Sequence, residues 1–386
     1  MRVQPNPHVQ VTGTGSCLGE RVVDNHELEG LVHGYDAAIS GPFAPWVDQV
    51  THIHERRWTT GATRNSDLAF AASKQALETA RVAPEDLDLV VYSSFTLSEM
   101  IPGDHCVLPE RLGAKRCGTF NLMGACAGSV YGLGLAYGMV ASGAMKHVLV
   151  VGSETISPVV NYHDPLTAIL FGDGAGAAVV SRVDRPEPGT GMLPPVLAYE
   201  FSASTIHLGN SNNPHGMRCY PPASDKPSHP LVERALIEMS GGPSVLRGAV
   251  THMAGLSARV LGYDPSDLRA GNPDLRRSLD EARLVPHQAN GRIVDALGEK
   301  LGIPPARVIR TIYRYGNMSA ASNLAALDYG VRHGNLDRDL DAEGRVRGIR
   351  ETPDRIEKGD LVILPSIGGG YVMGCVAFRQ GYDGAS

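Results

Sequence analysis

Three residues of this 386-residue chain stand where side-chain chemistry is expected: Cys126, His287 and Asn317. Cys126 lies in the run Gly124-Ala125-Cys126-Ala127-Gly128, between a short apolar stretch at 119–122 and a smooth Gly/Ala-rich pattern over 129–145. The pattern predicts strand, sharp turn and buried helix, which puts the thiol at a helix N-terminus. Unpaired N–H groups and the positive end of the helix dipole favour thiolate there, and thiolate is the form that attacks carbonyl carbon. The flanking glycines and alanines let a substrate chain approach closely. The same features suit a small buried hydrophobe, as most free cysteines are, so the role of Cys126 turns on its partners. His287 follows Pro286, which halts a strand at 283–285 and presents the imidazole at the strand's C-terminal end, where sites of open α/β sheets lie. Taken singly, it reads equally as a structural histidine.

Both residues need elements to hold them, and the elements come in two matching series. Arg111-Leu112-Gly113, a strand, the Cys126 turn, a helix, the strand at 146–151 and the Gly/Ala/Val strand at 174–182 follow one another. Lys300-Leu301-Gly302, a strand, the turn at 316–321, a helix, the strand at 358–363 and a final strand at 370–379 repeat that order. The parallel predicts two duplicated α/β halves, residues 1–183 and 184–386. It also places Asn317 at the position that Cys126 holds in the first half. Further strands are expected at 9–15 and 87–94, and helices at 27–32, 66–80 and 244–261. Residues 46–58 read as an exposed alternating strand, on which His52, His54 and Glu55 imitate a metal cluster without forming one. Gly172-Asp173-Gly174 reads as a structural turn. Residues 189–230 read as irregular surface that could serve as a lid, and 335–357 as a solvated charged excursion.

Composition narrows the class. With 42% hydrophobic and 20% charged residues the chain is an ordinary globular protein with a large core. A formal charge of −6 with no basic block argues against nucleic-acid and membrane-surface partners and favours small neutral or acidic ligands. The six cysteines are dispersed with no CxxC pair, which indicates neither a zinc site nor a disulfide framework and suits a reducing cytoplasm. No apolar run approaches a membrane span or a signal core. Gly13, Gly15 and Gly19 have GxGxxxG spacing and open onto no long helix, which excludes a dinucleotide loop.

Five motifs in order carry a resemblance over nearly the full length: Ala125-Cys126-Ala127-Gly128, Phe171-Gly172-Asp173-Gly174-Ala175-Gly176, Val285-Pro286-His287-Gln288-Ala289-Asn290, Gly316-Asn317-Met318-Ser319-Ala320-Ala321 and Gly368-Gly369-Gly370. The chain resembles the β-ketoacyl-acyl carrier protein synthase III enzymes of the thiolase-like superfamily. The resemblance implies a layered α-β-α-β-α fold, an acyltransferase, a homodimer and no bound cofactor. It implies that Cys126 takes an acyl group from a thioester of coenzyme A or acyl carrier protein, and that His287 and Asn317 hold the carbonyl of a malonyl-type extender. The backbone N–H groups of Cys126 and Gly369 would form an oxyanion hole for the acyl-cysteine. Trp46 and Arg292 match donor contacts of the family, and Ile101 matches the residue that gates the acyl pocket from the neighbouring subunit. Val50, Pro165 and Gly242 depart from it: they stand where two arginines and an asparagine grip coenzyme A. These departures weigh against coenzyme A as donor and leave a carrier protein or a different grip; the insertions near 269–281 and 335–357, longer than in the usual enzyme, point to a specialised polyketide or fatty-acid-like pathway. Two other functions suit the same residues: acyl transfer from Cys126 to a hydroxyl or amine with His287 as base, and a non-catalytic synthase subunit.

Overall fold

The computed structural model describes residues 2–201, 206–208, 237–239, 242–342 and 346–384. Ten strands form two sheets: β1 (Val9–Leu18), β2 (Leu89–Ser93), β3 (Gly118–Asn121), β4 (His147–Glu154), β5 (Gly174–Arg182), β6 (Gly191–Met192), β7 (Val196–Tyr199), β8 (Ala282–Leu284), β9 (Leu361–Ile367) and β10 (Val372–Arg379). The first sheet has the order β1-β5-β4-β2-β3, and the second runs β8-β9-β10-β6 with β7 also paired to β10. β2 is parallel to both β3 and β4, and β8 to β9; β1–β5, β4–β5 and β9–β10 are antiparallel. Seven helices matter here: α1 (Phe43–Thr51), α2 (Asn65–Ala80), α3 (Asp104–Leu112), α4 (Gly128–Ala141), α5 (Gly242–Val260), α6 (Gly291–Leu301) and α7 (Ser322–Arg332).

Alternation along the strands explains the layering. On β4, Leu149 and Val151 face α2 and its Leu68, Ala72 and Ala76, whereas Val148 and Val150 face the other way, onto Val130, Leu133 and Ala136 of α4. The same inner core takes Leu324 and Leu327 of α7 together with Val362, Leu364, Val376 and Phe378 of the second sheet. Beyond that sheet, Met253 and Leu256 of α5 pack on Leu361, Ile363 and Cys375, with Val294 and Leu297 of α6 in the same cluster. The result is the thiolase-like α-β-α-β-α arrangement, with α4 and α7 side by side in the middle layer. Among the described residues, no helix is long and apolar enough to cross a membrane.

Several elements differ from the sequence reading. Only Glu55–Trp58 of the stretch 46–58 is a strand, paired with Arg21–Asp24; its first half is the end of α1. Phe43, Val47 and Thr51 bury one side of that helix, which stops at His52 in the left-handed conformation (φ 58°) without a glycine to announce it. The stretch 335–357 is no solvated excursion. It forms a hairpin of Asn335–Leu340 and Val346–Thr352, with Leu336 fully buried, Arg338 on Asp48 at 2.8 Å and Arg314 on the carbonyl of Ile349 at 2.7 Å. β3, expected to be buried, is only half-covered because it is the last strand of its sheet. Part of the irregular stretch 189–230 is the sheet strands β6 and β7; residues 202–205 and 209–230 lie outside the described residues.

Asp173 confirms the structural reading of its turn. Its buried carboxyl accepts from the N–H groups of Ile156, Ser157 and Thr59 and from the hydroxyls of Ser157 and Thr59, tying three loops together. The repeat carries one shift of register. Single turns at Ala125–Ala127 and Ser319–Ala321 precede α4 and α7, and Ala125 and Ser319 share a φ of 46°. Ala320 therefore takes the place of Cys126, and Asn317 sits three residues before it rather than in register with the thiol.

The middle layer depends on backbone-to-backbone contact. A Cβ on Gly176 would lie 2.3 Å from Ala325 N, whereas one on Gly138, mid-helix in α4, would meet nothing within 4 Å. Gly176→Ala is expected to lower stability in chemical denaturation by about 1–3 kcal/mol, and Gly138→Ala to leave it equal or raise it by up to ~1 kcal/mol.

Candidate active site

Cys126 sits in the single turn between β3 and α4, directly after Ala125, whose φ of 46° is left-handed. Gly128 makes this possible: a side chain there would drive into Ser93 Oγ at 1.9 Å. From the second sheet, the Ser366 hydroxyl donates to the Cys126 carbonyl at 3.0 Å, and the neighbouring Pro365 carbonyl accepts from the His287 N–H at 2.9 Å. One two-residue step of β9 thus pins both the nucleophile candidate and the histidine. Asn323 Nδ2, on α7, donates to the carbonyls of Val285 and Pro365 and locks the strand end that carries His287.

Asn317 is held by both halves. Its N–H donates to Leu170 O at 2.8 Å, and its carbonyl accepts from Gly172 N–H at 3.0 Å. Its side-chain Oδ1 accepts from the Ser319 N–H at 2.8 Å, which leaves Nδ2 as the free end of the amide and a donor. Ser319 closes the circle, because its hydroxyl faces the Cys126 thiol. The segments that carry Cys126, His287 and Asn317 are therefore tied to one another, each residue buried and each anchored by main-chain bonds.

The electrostatics overturn one expectation. The thiol is not shifted toward thiolate: full burial pushes it up to about 11, the Ser319 hydroxyl lowers it, and the charge of Glu154 raises it further. Desolvation of the anion outweighs the helix terminus, in part because a separate turn stands between Cys126 and the first residue of α4. Burial likewise pushes His287 down to about 3, so the imidazole is neutral at working pH and offers one N–H donor; its Nδ1 has no hydrogen-bond partner among the described residues.

The remaining predicted residues sit on several other elements. The ring of Trp46 leans on Tyr35 and Phe43, with centroids 4.7 and 5.8 Å away. Arg292 is exposed at the start of α6, where the Asn290 side chain accepts from its N–H and also donates to Val50 O of α1. Pro165 opens a short helix capped by Asp164, and Gly242 begins α5. Gly369 belongs to a turn over Cys126, where a Cβ on Gly368 would come 2.9 Å from Cys126 N. Ile101 is 92% exposed. Sequence reasoning passes over Ser366, Ser319 and Glu154. For Glu154 a signal exists, a single carboxylate ending an apolar strand, while the two serines carry none.

Similarity to known proteins agrees with this geometry. Residues 120–197 match the 3-oxoacyl-[acyl-carrier-protein] synthase III family, and residues 277–341 match the 3-oxoacyl-[acyl-carrier-protein] synthase III C-terminal family. The chain is 35% identical over 386 residues to the β-ketoacyl-[acyl-carrier-protein] synthase III of Symbiobacterium thermophilum, covering 99% of this chain and 100% of that one. It is 34% identical over 371 residues to the enzyme of that name from Desulfitobacterium hafniense strain Y51, covering 96% and 97%. Among solved structures, the priming β-ketosynthase of the R1128 polyketide pathway is similar at 30% identity with a TM-score of 0.76, covering 100% and 99%. The 3-oxoacyl-[acyl-carrier-protein] synthase III of Aquifex aeolicus VF5 is similar at 31% identity and 0.74, covering 96% and 100%.

With the thiol near 11, only about 10⁻⁴ of Cys126 is thiolate at pH 7. Alkylation of the Cys126 peptide by iodoacetamide, followed by mass spectrometry, is expected to climb steadily from pH 7 to 9. A plateau at or below pH 8 would contradict the buried, protonated thiol.

Proposed function

The chain belongs to the β-ketoacyl-acyl carrier protein synthase III family, and on that premise we propose that Cys126, His287 and Asn317 perform its decarboxylative condensation. Cys126 attacks the carbonyl of an acyl thioester; a C–S bond forms, the donor's C–S bond breaks, and the departing thiolate takes the proton that the thiol loses. A malonyl-type thioester then places its carbonyl oxygen against the donors of His287 and Asn317. Its carboxylate leaves as carbon dioxide, the bonding pair passing into an enolate whose oxygen these donors stabilise. The enolate carbon attacks the acyl-cysteine, a carbon–carbon bond forms as the C–S bond to Cys126 breaks, and the expelled thiolate takes a proton from solvent. During attack the acyl oxygen is held by the backbone N–H groups of Cys126 and Gly369.

The observation that carries this reading is a neutral, buried imidazole at His287 together with an Asn317 amide oriented by Ser319, whose hydroxyl faces the Cys126 thiol. Both are donors suited to an oxyanion. Transfer to a hydroxyl or amine would ask His287 to accept a proton, and a ring whose pKa lies near 3 is a weak base for that task.

For partners, the reading takes an acyl thioester donor and an acyl carrier protein, with Trp46 and Arg292 at the donor entrance. Val50 and Pro165 at that entrance favour a carrier protein over coenzyme A as the donor. A homodimer is supported by β3, whose outer edge has no strand partner among the described residues, and by the exposed apolar side chains of Ile101 and Met123. Pairing two β3 edges would join the first sheets into one and carry Ile101 toward the neighbouring pocket. Light scattering at micromolar concentration is expected to give twice the chain mass, and a monomer would refute the pairing.

The chemical test is release of labelled carbon dioxide from malonyl thioesters on coenzyme A and on a carrier protein. Asn317→Ala is expected to lose about 10²–10³ in this rate while intact-mass measurement still shows Cys126 acylated; Cys126→Ala is expected to show no acylation. Native enzyme that releases no carbon dioxide yet acylates an alcohol or amine would overturn condensation.

A further inference from the structure

Ser366 is the polar residue of β9, and the steps above give it no task. Alternation along the strand turns Val362 and Leu364 into the inner core and Leu361, Ile363 and Ile367 to the opposite side. Ser366 therefore stands on the inner face at the strand's end, fully buried. A hydroxyl in such a place needs a partner, and it takes the Cys126 carbonyl at 3.0 Å. Two residues further on, the chain enters its glycine turn. Gly368 packs directly on the turn that holds Cys126: a Cβ on it would come 2.9 Å from Cys126 N and 3.1 Å from Gly124 O. The glycine turn is closed on itself, Gly368 N–H donating to Val372 O at 2.8 Å and Tyr371 N–H to Gly368 O at 3.0 Å. It is tied to the residue after β7 by the Glu200 N–H, which donates to Tyr371 O at 3.1 Å. Among the described residues, neither the Cys126 N–H nor the Gly369 N–H has a main-chain acceptor. Two spare donors thus stand on adjacent turns, and the Ser366 hydroxyl ties the strand leading into one turn to the carbonyl of the other.

We propose that Ser366 is a positioning residue for acyl transfer to and from Cys126: by holding the Cys126 carbonyl it sets the separation of the Cys126 and Gly369 N–H groups, which receive the acyl oxygen. This rests on Cys126 being the nucleophile of the condensation. Acylation forms the Sγ–C bond and moves a C=O electron pair onto that oxygen. Return of the pair breaks the donor's C–S bond, and the donor sulfur leaves with the proton of the thiol. Attack of the enolate on the acyl-cysteine builds charge on the same oxygen. Decarboxylation does not, because its charge goes to the extender's oxygen at His287 and Asn317. Those two residues are held by other groups, His287 by the Pro365 carbonyl and Asn317 by Leu170 and Gly172. Ser366 accordingly serves acylation and carbon–carbon bond formation and leaves decarboxylation alone.

The test measures three rates on the native protein and on Ser366→Ala. They are acylation of Cys126 by an acyl thioester, read by intact mass; release of labelled carbon dioxide from a malonyl thioester; and alkylation of Cys126 by iodoacetamide, which displaces iodide at a saturated carbon and creates no oxyanion. Ser366→Ala is expected to be acylated about 10-fold more slowly, less than the ~10²–10³ of an oxyanion donor removed outright, while carbon dioxide release and alkylation stay within about twofold of native. A role confined to stability would lower all three together. Gly368→Ala, which drives the glycine turn off Cys126 N, is expected to show the same imbalance, and it serves if Ser366→Ala does not fold. Acylation at the native rate, or a loss shared by all three rates, overturns the inference. So does an equal loss in acylation and alkylation, which would place the effect on the thiol and not on the oxyanion donors. Native protein that is never acylated on Cys126 sinks the condensation reading, whereas native acylation without the imbalance in the variants sinks only the role of Ser366.

Discussion

The active centre exists only because two backbones can touch in the middle layer. Gly152 lies where any Cβ would come within 2.2 Å of Ala320 O, and Gly176 within 2.3 Å of Ala325 N. These contacts bring the turn before α4 and the turn before α7 to one point, so that Cys126 and the Asn317–Ser319 segment meet although 190 residues of chain separate them. A side chain at either glycine would wedge the halves apart by about the width of a methyl group. That distance matters because hydrogen-bond donors act on a developing oxyanion only at contact range. The glycine and alanine content of 124–141 and 174–178 thus has a steric cause, namely a layer in which helices approach sheets on both sides.

Burial then decides the chemistry of the groups so assembled. The thiol rises, the imidazole falls and the Glu154 carboxyl rises, all for the same reason: each would have to carry a charge where water does not reach. The resting site is accordingly almost without charge. That suits a reaction whose charges appear only transiently, as an enolate or a tetrahedral oxyanion, and which are met by preset dipoles. It also shifts attention from thiol activation by the helix end to the neighbours of the thiol, where Ser319 and Glu154 act in opposite senses.

The second half contributes rigidity as well as His287 and Asn317. β9 holds Cys126 through Ser366 and His287 through Pro365, so one strand aligns residues from two segments. The hairpin at 335–352 adds a clasp between Arg338 and Asp48 on α1, the helix that also carries Trp46. Its charged composition made it look solvated, yet buried Asn335 and Leu336 root it in the protein.

Much of this was legible in the order of residues. Cys126 and His287 stand out because proline, glycine and small residues mark strand ends and tight turns locally, Asn317 was picked by a repeat register that the fold does not keep, and the layered α/β class follows from alternating apolar strands and helices. The strands at β1, β2 and β4 and the helices α2, α4 and α5 could be placed from periodicity alone. What only the tertiary structure decided is whatever depends on neighbours distant in sequence. The left-handed His52 that ends α1, the edge position of β3, the register in which Ala320 and not Asn317 answers Cys126, and the placement of Ser319, Ser366 and Glu154 are of this kind. The protonation of the site belongs with them. A pKa is set by the water a fold excludes and by charges it brings within a few ångströms, and no spacing along the chain encodes either until both halves have closed over Cys126.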